Sequence, residues 1–191
     1  MSDPTPKNDA PWGRYERLLP REIEAISAAR SIAYLPWGAL EYHGSHAAVG
    51  LDGLKAHGLC CALAAQEGGL VLPPVYVAAN TIKIAPDLKF PRHSLDFAES
   101  TLSLLAREHF DQLADEGFRV VFTLWGHVGQ PHYDLIKAEA TAANDRHPDT
   151  HFIATSETDL ASPDLFIVNH AALRCRTTPS GDLIRGKLPQ N

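Results

Sequence analysis

The chain has 191 residues, 45% of them hydrophobic, and a formal net charge of −6. That length suits one domain with a sizeable core, and the apolar fraction is ordinary for a globular protein. An acidic balance without any basic stripe of interleaved aromatics argues against a nucleic-acid partner, and no apolar run is long enough to span a bilayer.

The opening residues, Met1-Ser2-Asp3-Pro4-Thr5-Pro6, are polar and proline-rich, which suits neither a signal peptide nor an anchor. A disordered tail is expected over residues 1–12, and a single α/β domain over 13–191. A helix is predicted over 21–29 with Ile23 and Ile26 facing the core, then a buried strand over 31–37. A loop carrying Asp52 follows, and an alanine-rich helix over 53–67 closes at Gly68 and Gly69. Residues 70–77 read as extended, with Pro73 and Pro74 placing them at an edge or a break. A long loop is predicted over 78–94, and the longest helix over 94–116. A second buried strand is expected over 118–124, a helix over 131–144, and a last short strand over 151–155. Strands alternating with long helices imply βαβ units, a mainly parallel sheet and a three-layer α/β/α sandwich. The three cysteines, with Cys60 and Cys61 adjacent, make no disulfide framework. The chain therefore reads as a soluble cytoplasmic protein.

Two segments carry the chemistry. The first is Glu41-Tyr42-His43-Gly44-Ser45-His46 with Asp52 six residues further on, directly after the first strand. Ligands at a strand's C-terminal end sit where open α/β sheets place their sites. Imidazole nitrogen together with carboxylate oxygen suits Zn²⁺, Mn²⁺ or Fe²⁺ better than Ca²⁺ or Mg²⁺. The two oxygens of Asp52 could each take one ion. The second segment is Trp125-Gly126-His127-Val128-Gly129-Gln130-Pro131-His132, after the next strand. Its glycines would let the backbone of His127 approach a ligand closely.

These segments resemble the creatininase family of metal-dependent creatinine amidohydrolases. Pro36-Trp37-Gly38-Ala39-Leu40-Glu41-Tyr42-His43-Gly44-Ser45-His46 follows that family's first motif, with Ala47-Ala48 where Leu-Pro is usual. Trp125-Gly126-His127-Val128-Gly129-Gln130 occupies the second motif, and His170-Ala171-Ala172-Leu173-Arg174-Cys175-Arg176-Thr177 is the best placement of the third. The resemblance implies the same fold, often as a homo-oligomer, and one or two divalent ions that activate water for attack on a small cyclic or linear amide. It implies Glu41, His43, Asp52 and His127 as metal ligands. The family's final carboxylate does not carry over, because Gly129 and Cys175 occupy its places. Cys175 could ligate as a thiolate or be an inert buried thiol, and Glu157 could move in instead. His170 or Glu157 would shuttle the proton to the leaving nitrogen. His46, Arg92 and His93 would contact substrate. Arg92 and His93 replace the usual Gly-Thr of a substrate loop and add a cation suited to a carboxylate or phosphate. Trp125 would form an aromatic wall or else pack in the core. A different outcome of the same resemblance is a member that binds metal or ligand without hydrolysis, or that runs a ring-closing or lyase step.

Overall fold

The computed structural model describes residues 10–84 and 92–160. His170 and Cys175 lie outside the described residues, as do residues 1–9 of the expected tail. The compact unit that ends at Glu157 holds all the elements discussed below.

Five strands form one sheet: β1 (Trp12–Arg14), β2 (Ile32–Trp37), β3 (Gly69–Val71), β4 (Val120–Trp125) and β5 (His151–Ser156). Every pairing is parallel, and the spatial order is β1-β3-β2-β4-β5. Strand β1 begins at Trp12, inside the expected tail. Three residues are too few to show a period, and the strand exists only through its pairing with β3.

Alternation along the strands sends side chains to two faces. Ile32, Tyr34, Phe122 and Leu124 meet α2 (Leu51–Glu67) through Ala56, Cys60, Cys61 and Ala64. Ala33, Leu35, Trp37, Val121 and Trp125 face the other way. There they join α1 (Pro20–Ala29), α3 (Glu99–Asp115) and α4 (His132–Arg146) in the larger core. The result is the three-layer sandwich, with one helix on one face and three on the other.

The boundaries differ from expectation through local capping at α1 and through long-range bonds at α3. Helix α1 opens on Pro20, and the Leu19 N–H donates to Glu22 at 2.8 Å. Helix α2 starts at Leu51, so Asp52 belongs to its first turn and not to a preceding loop. Helix α3 starts at Glu99, five residues later than predicted, because 94–97 are spent elsewhere. Ser94 Oγ accepts from the Tyr42 N–H, Leu95 N–H donates to Leu40, and Phe97 N–H donates to Ala78. Strand β3 lies between β1 and β2, which rules out an edge. Pro73-Pro74 instead breaks the pairing, and Val75 resumes it by donating to the Pro36 carbonyl at 3.0 Å.

The chain leaves β2 toward β3 on one side and leaves β4 toward β5 on the other. The direction of winding therefore reverses between β2 and β4, and doubly wound sheets bind ligands at the C-terminal ends of the strands at such a reversal.

Candidate metal centre

Strands β2 and β4 are in register from Ile32↔Val120 to Trp37↔Trp125, so both chains leave the sheet at the same level. Each then continues into a glycine, Gly38 and Gly126, and the Gly126 N–H donates to the Trp37 carbonyl at 3.0 Å. Both glycines press on the first turn of α2. A Cβ on Gly38 would lie 2.2 Å from the Gly53 nitrogen, and one on Gly126 would lie 2.3 Å from the Asp52 carbonyl oxygen. The glycine beside His127 thus makes room for the Asp52 backbone and not, as expected, for a ligand. Gly53 in turn makes room for Tyr76, whose ring would meet a Cβ there at 2.4 Å. These contacts wedge the first turn of α2 between the two strand ends and aim Asp52 at His127.

Glu41, Asp52 and His127 offer ligand atoms that all lie within 4.8 Å of one another. They are 9%, 2% and 5% exposed. His127 Nδ1 is 3.0 Å from Glu41 Oε2 and 3.4 Å from Asp52 Oδ2. His43 Nε2 lies 3.2 Å from Asp52 Oδ1 and 3.8 Å from Glu41 Oε2. Four of the predicted ligands thus meet at one strand edge.

The remaining atoms of these residues are held from outside the cluster. His43 Nδ1 meets the Glu41 carbonyl at 3.0 Å, and His127 Nε2 meets the Ala79 carbonyl at 3.3 Å. Each contact uses one ring nitrogen as a donor and turns the other toward the carboxylates. The Ile82 N–H donates to Glu41 Oε1, which leaves Oε2 for the cluster. Asp52 Oδ2 is buried with no hydrogen-bond partner. A buried carboxylate oxygen without a donor is costly, and a divalent cation between Asp52, Glu41 and His127 would satisfy it. The donor set, two carboxylates and one or two imidazoles, fits Zn²⁺ or Mn²⁺.

The charges agree. Burial alone would raise the Asp52 carboxyl, but the imidazoles of His127 and His43 on either side of it hold it at about 2. Burial would lower His127, but Asp52 and Glu41 outweigh it and push its pKa up to about 9. His43 is raised too, chiefly by its hydrogen bond to Asp52.

The other candidates fall elsewhere. Glu157 pairs with Lys55, one turn beyond Asp52 on α2. His46, Arg92 and His93 are exposed on the loops around the site. Trp125 is fully buried, with its ring edge-on to Tyr133 at 5.3 Å. It is a core residue, since odd positions of β4 face the α3 and α4 layer, and so it is not the open aromatic wall considered above. At Gly129 a Cβ would lie 2.6 Å from His127 Nε2 and 2.7 Å from the Asn80 carbonyl. The loop is closed around that glycine, so no side chain is accommodated there.

The residues that support the ligands were not foreseen. They include Ala79 and Ile82, which act through backbone groups, and Asp96, which accepts from Thr81 N–H at 2.7 Å and Thr81 Oγ1 at 2.9 Å. Backbone donors leave no trace in residue type. His132 was also missed as a neighbour. It is fully buried, its two ring nitrogens are without hydrogen-bond partners, and its ring stands perpendicular to His127 at 5.1 Å. Burial first, and His127 second, lower its pKa to about 3.

No curated protein matches the sequence significantly. Solved structures do. A creatinine amidohydrolase (creatininase) superposes with a TM-score of 0.70 at 23% identity, over 82% of this chain and 62% of that one. A creatininase mutant described as Zn-Zn type gives 0.68 at 26% identity, over 79% and 60%. A structure named Creatininase Mn gives 0.68 at 24% identity, over 88% and 65%. The chain thus spans about three-fifths of the length of the creatininase structures it matches. The family described as creatininase, creatinine amidohydrolase, matches residues 16–181, and the chain belongs to that family.

Proposed function

We propose that the chain is a metal-dependent amidohydrolase that cleaves the C–N bond of a small cyclic or linear amide. The observation that carries this is the buried Glu41–Asp52–His127 group, with His43 beside it and every outward-facing ligand atom held by a backbone group. Zn²⁺ or Mn²⁺ is the cofactor of this reading, as the names of two similar structures print those metals. A bound divalent ion lowers the pKa of water from about 15.7 to about 7 and polarises an amide carbonyl.

The chain's own residues do the positioning. Glu41 Oε2, Asp52 Oδ2 and His127 Nδ1 converge on one point, and His43 Nε2 with Asp52 Oδ1 offers a second, poorer one. Gly129 supplies no carboxylate and has no room for one. One firmly held ion per chain is therefore the reading. The Lys55–Glu157 pair, which joins α2 to the residue after β5, is the described candidate of this reading to move a proton to the leaving nitrogen.

The crowding at Gly129 also supports a second reading, a member of the family that binds a metal and a ligand without hydrolysis. Both readings place a soluble cytoplasmic protein that assembles with copies of itself, and no described helix is long and apolar enough to cross a membrane. Two measurements separate them. Metal analysis of the purified chain should find one ion, and Asp52→Ala should lose it. Release of amine from a panel of lactams, hydantoins and N-acyl amino acids should then depend on that ion. Metal bound without turnover of any amide would favour the second reading, and no metal bound would end both.

A further inference from the structure

His132 opens α4, five residues after His127, and is completely shielded from solvent. A neutral imidazole carries one donor and one acceptor, and here neither ring nitrogen has a hydrogen-bond partner. The fold bears the desolvation of both with no return. A leucine would fill the same space without that cost. A residue so unfavourable to the fold calls for a partner that the folded chain alone does not supply. Asp52 Oδ2, beside His127 at 3.4 Å, is in the same position: buried and without a hydrogen-bond partner.

The His132 ring stands perpendicular to His127, with the ring centres 5.1 Å apart. A zinc-bound imidazole nitrogen lies about 2.0–2.1 Å from the ion, which puts its ring centre about 3.2 Å away, so two imidazoles at a tetrahedral angle have centres about 5.2 Å apart. The two rings are therefore already at the separation that a shared ion requires. Their nitrogens are not all aimed at one point, since His132 is not among the residues whose ligand atoms lie within 4.8 Å of one another. No hydrogen bond has to break for the ring to turn. Burial without an acidic partner keeps it neutral, the form of imidazole that binds a metal. Val128-Gly129-Gln130-Pro131, between the two histidines, includes no other imidazole and no carboxylate.

We propose that His132 is the fourth protein ligand of the ion held by Glu41, Asp52 and His127, its ring turning onto the metal when the metal binds. One cation then satisfies Asp52 Oδ2 and a His132 nitrogen together. Two carboxylates and two imidazoles make a four-coordinate shell that suits Zn²⁺. They leave no fourth place vacant, so His132 sets how open the ion is to a substrate. The proposal rests on metal binding at this group, which both readings above share, and not on hydrolysis.

X-ray absorption at the zinc edge tests it without turnover. The full chain loaded with one equivalent of Zn²⁺ should show two imidazoles on the ion, and His132→Leu should show one. His43→Gln should still show two, which separates His132 from the imidazole on the other side of Asp52. His132→Leu should raise the dissociation constant for Zn²⁺ by at least about tenfold, the loss that an outer partner alone typically causes. Chelated, the same variant should melt about 2–5 °C above the chelated parent, because two unsatisfied nitrogens are gone. A residue that merely packs would move stability and affinity the same way, both downward. His132→Met, whose flexible chain adapts to an irregular space, repeats every measurement should the leucine variant fail to fold. Two imidazoles in the His132 variant, an unchanged dissociation constant, or a drop to one imidazole in His43→Gln alone would overturn the proposal and leave the metal centre standing. So would a chelated variant that melts below the parent, for the nitrogens would then have a partner within the metal-free chain. A parent chain that takes up no Zn²⁺ would end the metal centre and this proposal with it.

Discussion

Without a cation, His127 carries the positive charge that the two carboxylates around it demand. Its pKa, about 9 against an ordinary 6.5, is raised on folding. The stability it contributes is complete below 6.5 and is lost as pH rises through 9. Asp52 runs the other way: at about 2 against 3.8, its contribution is complete above 3.8 and is lost as pH falls through 2. A cation must displace the His127 proton, so metal affinity rises over the range where the metal-free protein weakens. Chelated protein should thus melt progressively lower from pH 6.5 to 9, and the gain in melting temperature on adding Zn²⁺ should grow over the same interval. A metal-free melting temperature that stays flat across it would show that His127 is not held as the counter-ion. That Glu41, His43, Asp52 and His127 meet was legible because they stand close in sequence or follow an apolar strand. The closure at Gly129 was not, since the sequence shows a missing carboxylate but not that Asn80 and His127 fill its space. Trp125 could be read as either wall or core, and only the face it occupies on β4 decides.

Among the elements, the first turn of α2 is the piece on which the site depends. It fits between Gly38 and Gly126, with Tyr76 over Gly53. Overfilling a packed position costs about 1–3 kcal/mol, and here the obstacle is backbone and not a flexible side-chain end. Gly126→Ala should lower stability by about that amount and weaken metal binding at least as much, because the Cβ pushes on the residue that carries the Asp52 carboxylate. Gly58→Ala on the same helix meets nothing within 4 Å and should stabilise slightly, which makes it the control. Equal metal affinity in Gly126→Ala and Gly58→Ala would dissociate the glycine from the site. A second link runs through Asp96 and Thr81 to the Ile82 N–H that caps Glu41. Asp96→Ala should raise the dissociation constant for metal by about tenfold, as loss of an outer partner typically does. An unchanged constant would show that Ile82 stays in place on its own. Helix and strand types were legible from period and turn residues. The start of α3 was not, because it is set by bonds to loops distant in sequence, and the start of α2 was not, because its first turn is packed against Gly38 and Gly126.

At the scale of the molecule, the parallel α/β sandwich was legible from the alternation of apolar strands with long helices. The strand order was not, and it is the order β1-β3-β2-β4-β5 that sets β2 beside β4 and so brings Glu41 and His127 together. The same topology places three ionisable residues that could hold a metal, all under 10% exposed, where three elements converge. A cation that binds there binds the folded chain alone, since 86 residues separate Glu41 from His127 in the sequence (127 − 41). By mass action a free metal concentration of about 100 times the dissociation constant stabilises by about 2.7 kcal/mol. For a domain of this size that is a rise in melting temperature of about 5–10 °C. Stripping Zn²⁺ from the full chain should therefore lower melting by that interval, and restoring one equivalent should recover nearly all of it. Asp52→Ala, already without the ion, should melt at one temperature whether or not chelator or Zn²⁺ is present. A shift in Asp52→Ala as large as in the parent would place the stabilising ion elsewhere in the chain, and two equivalents needed for recovery would show that the His43 side of Asp52 holds an ion as firmly as the Glu41–His127 side.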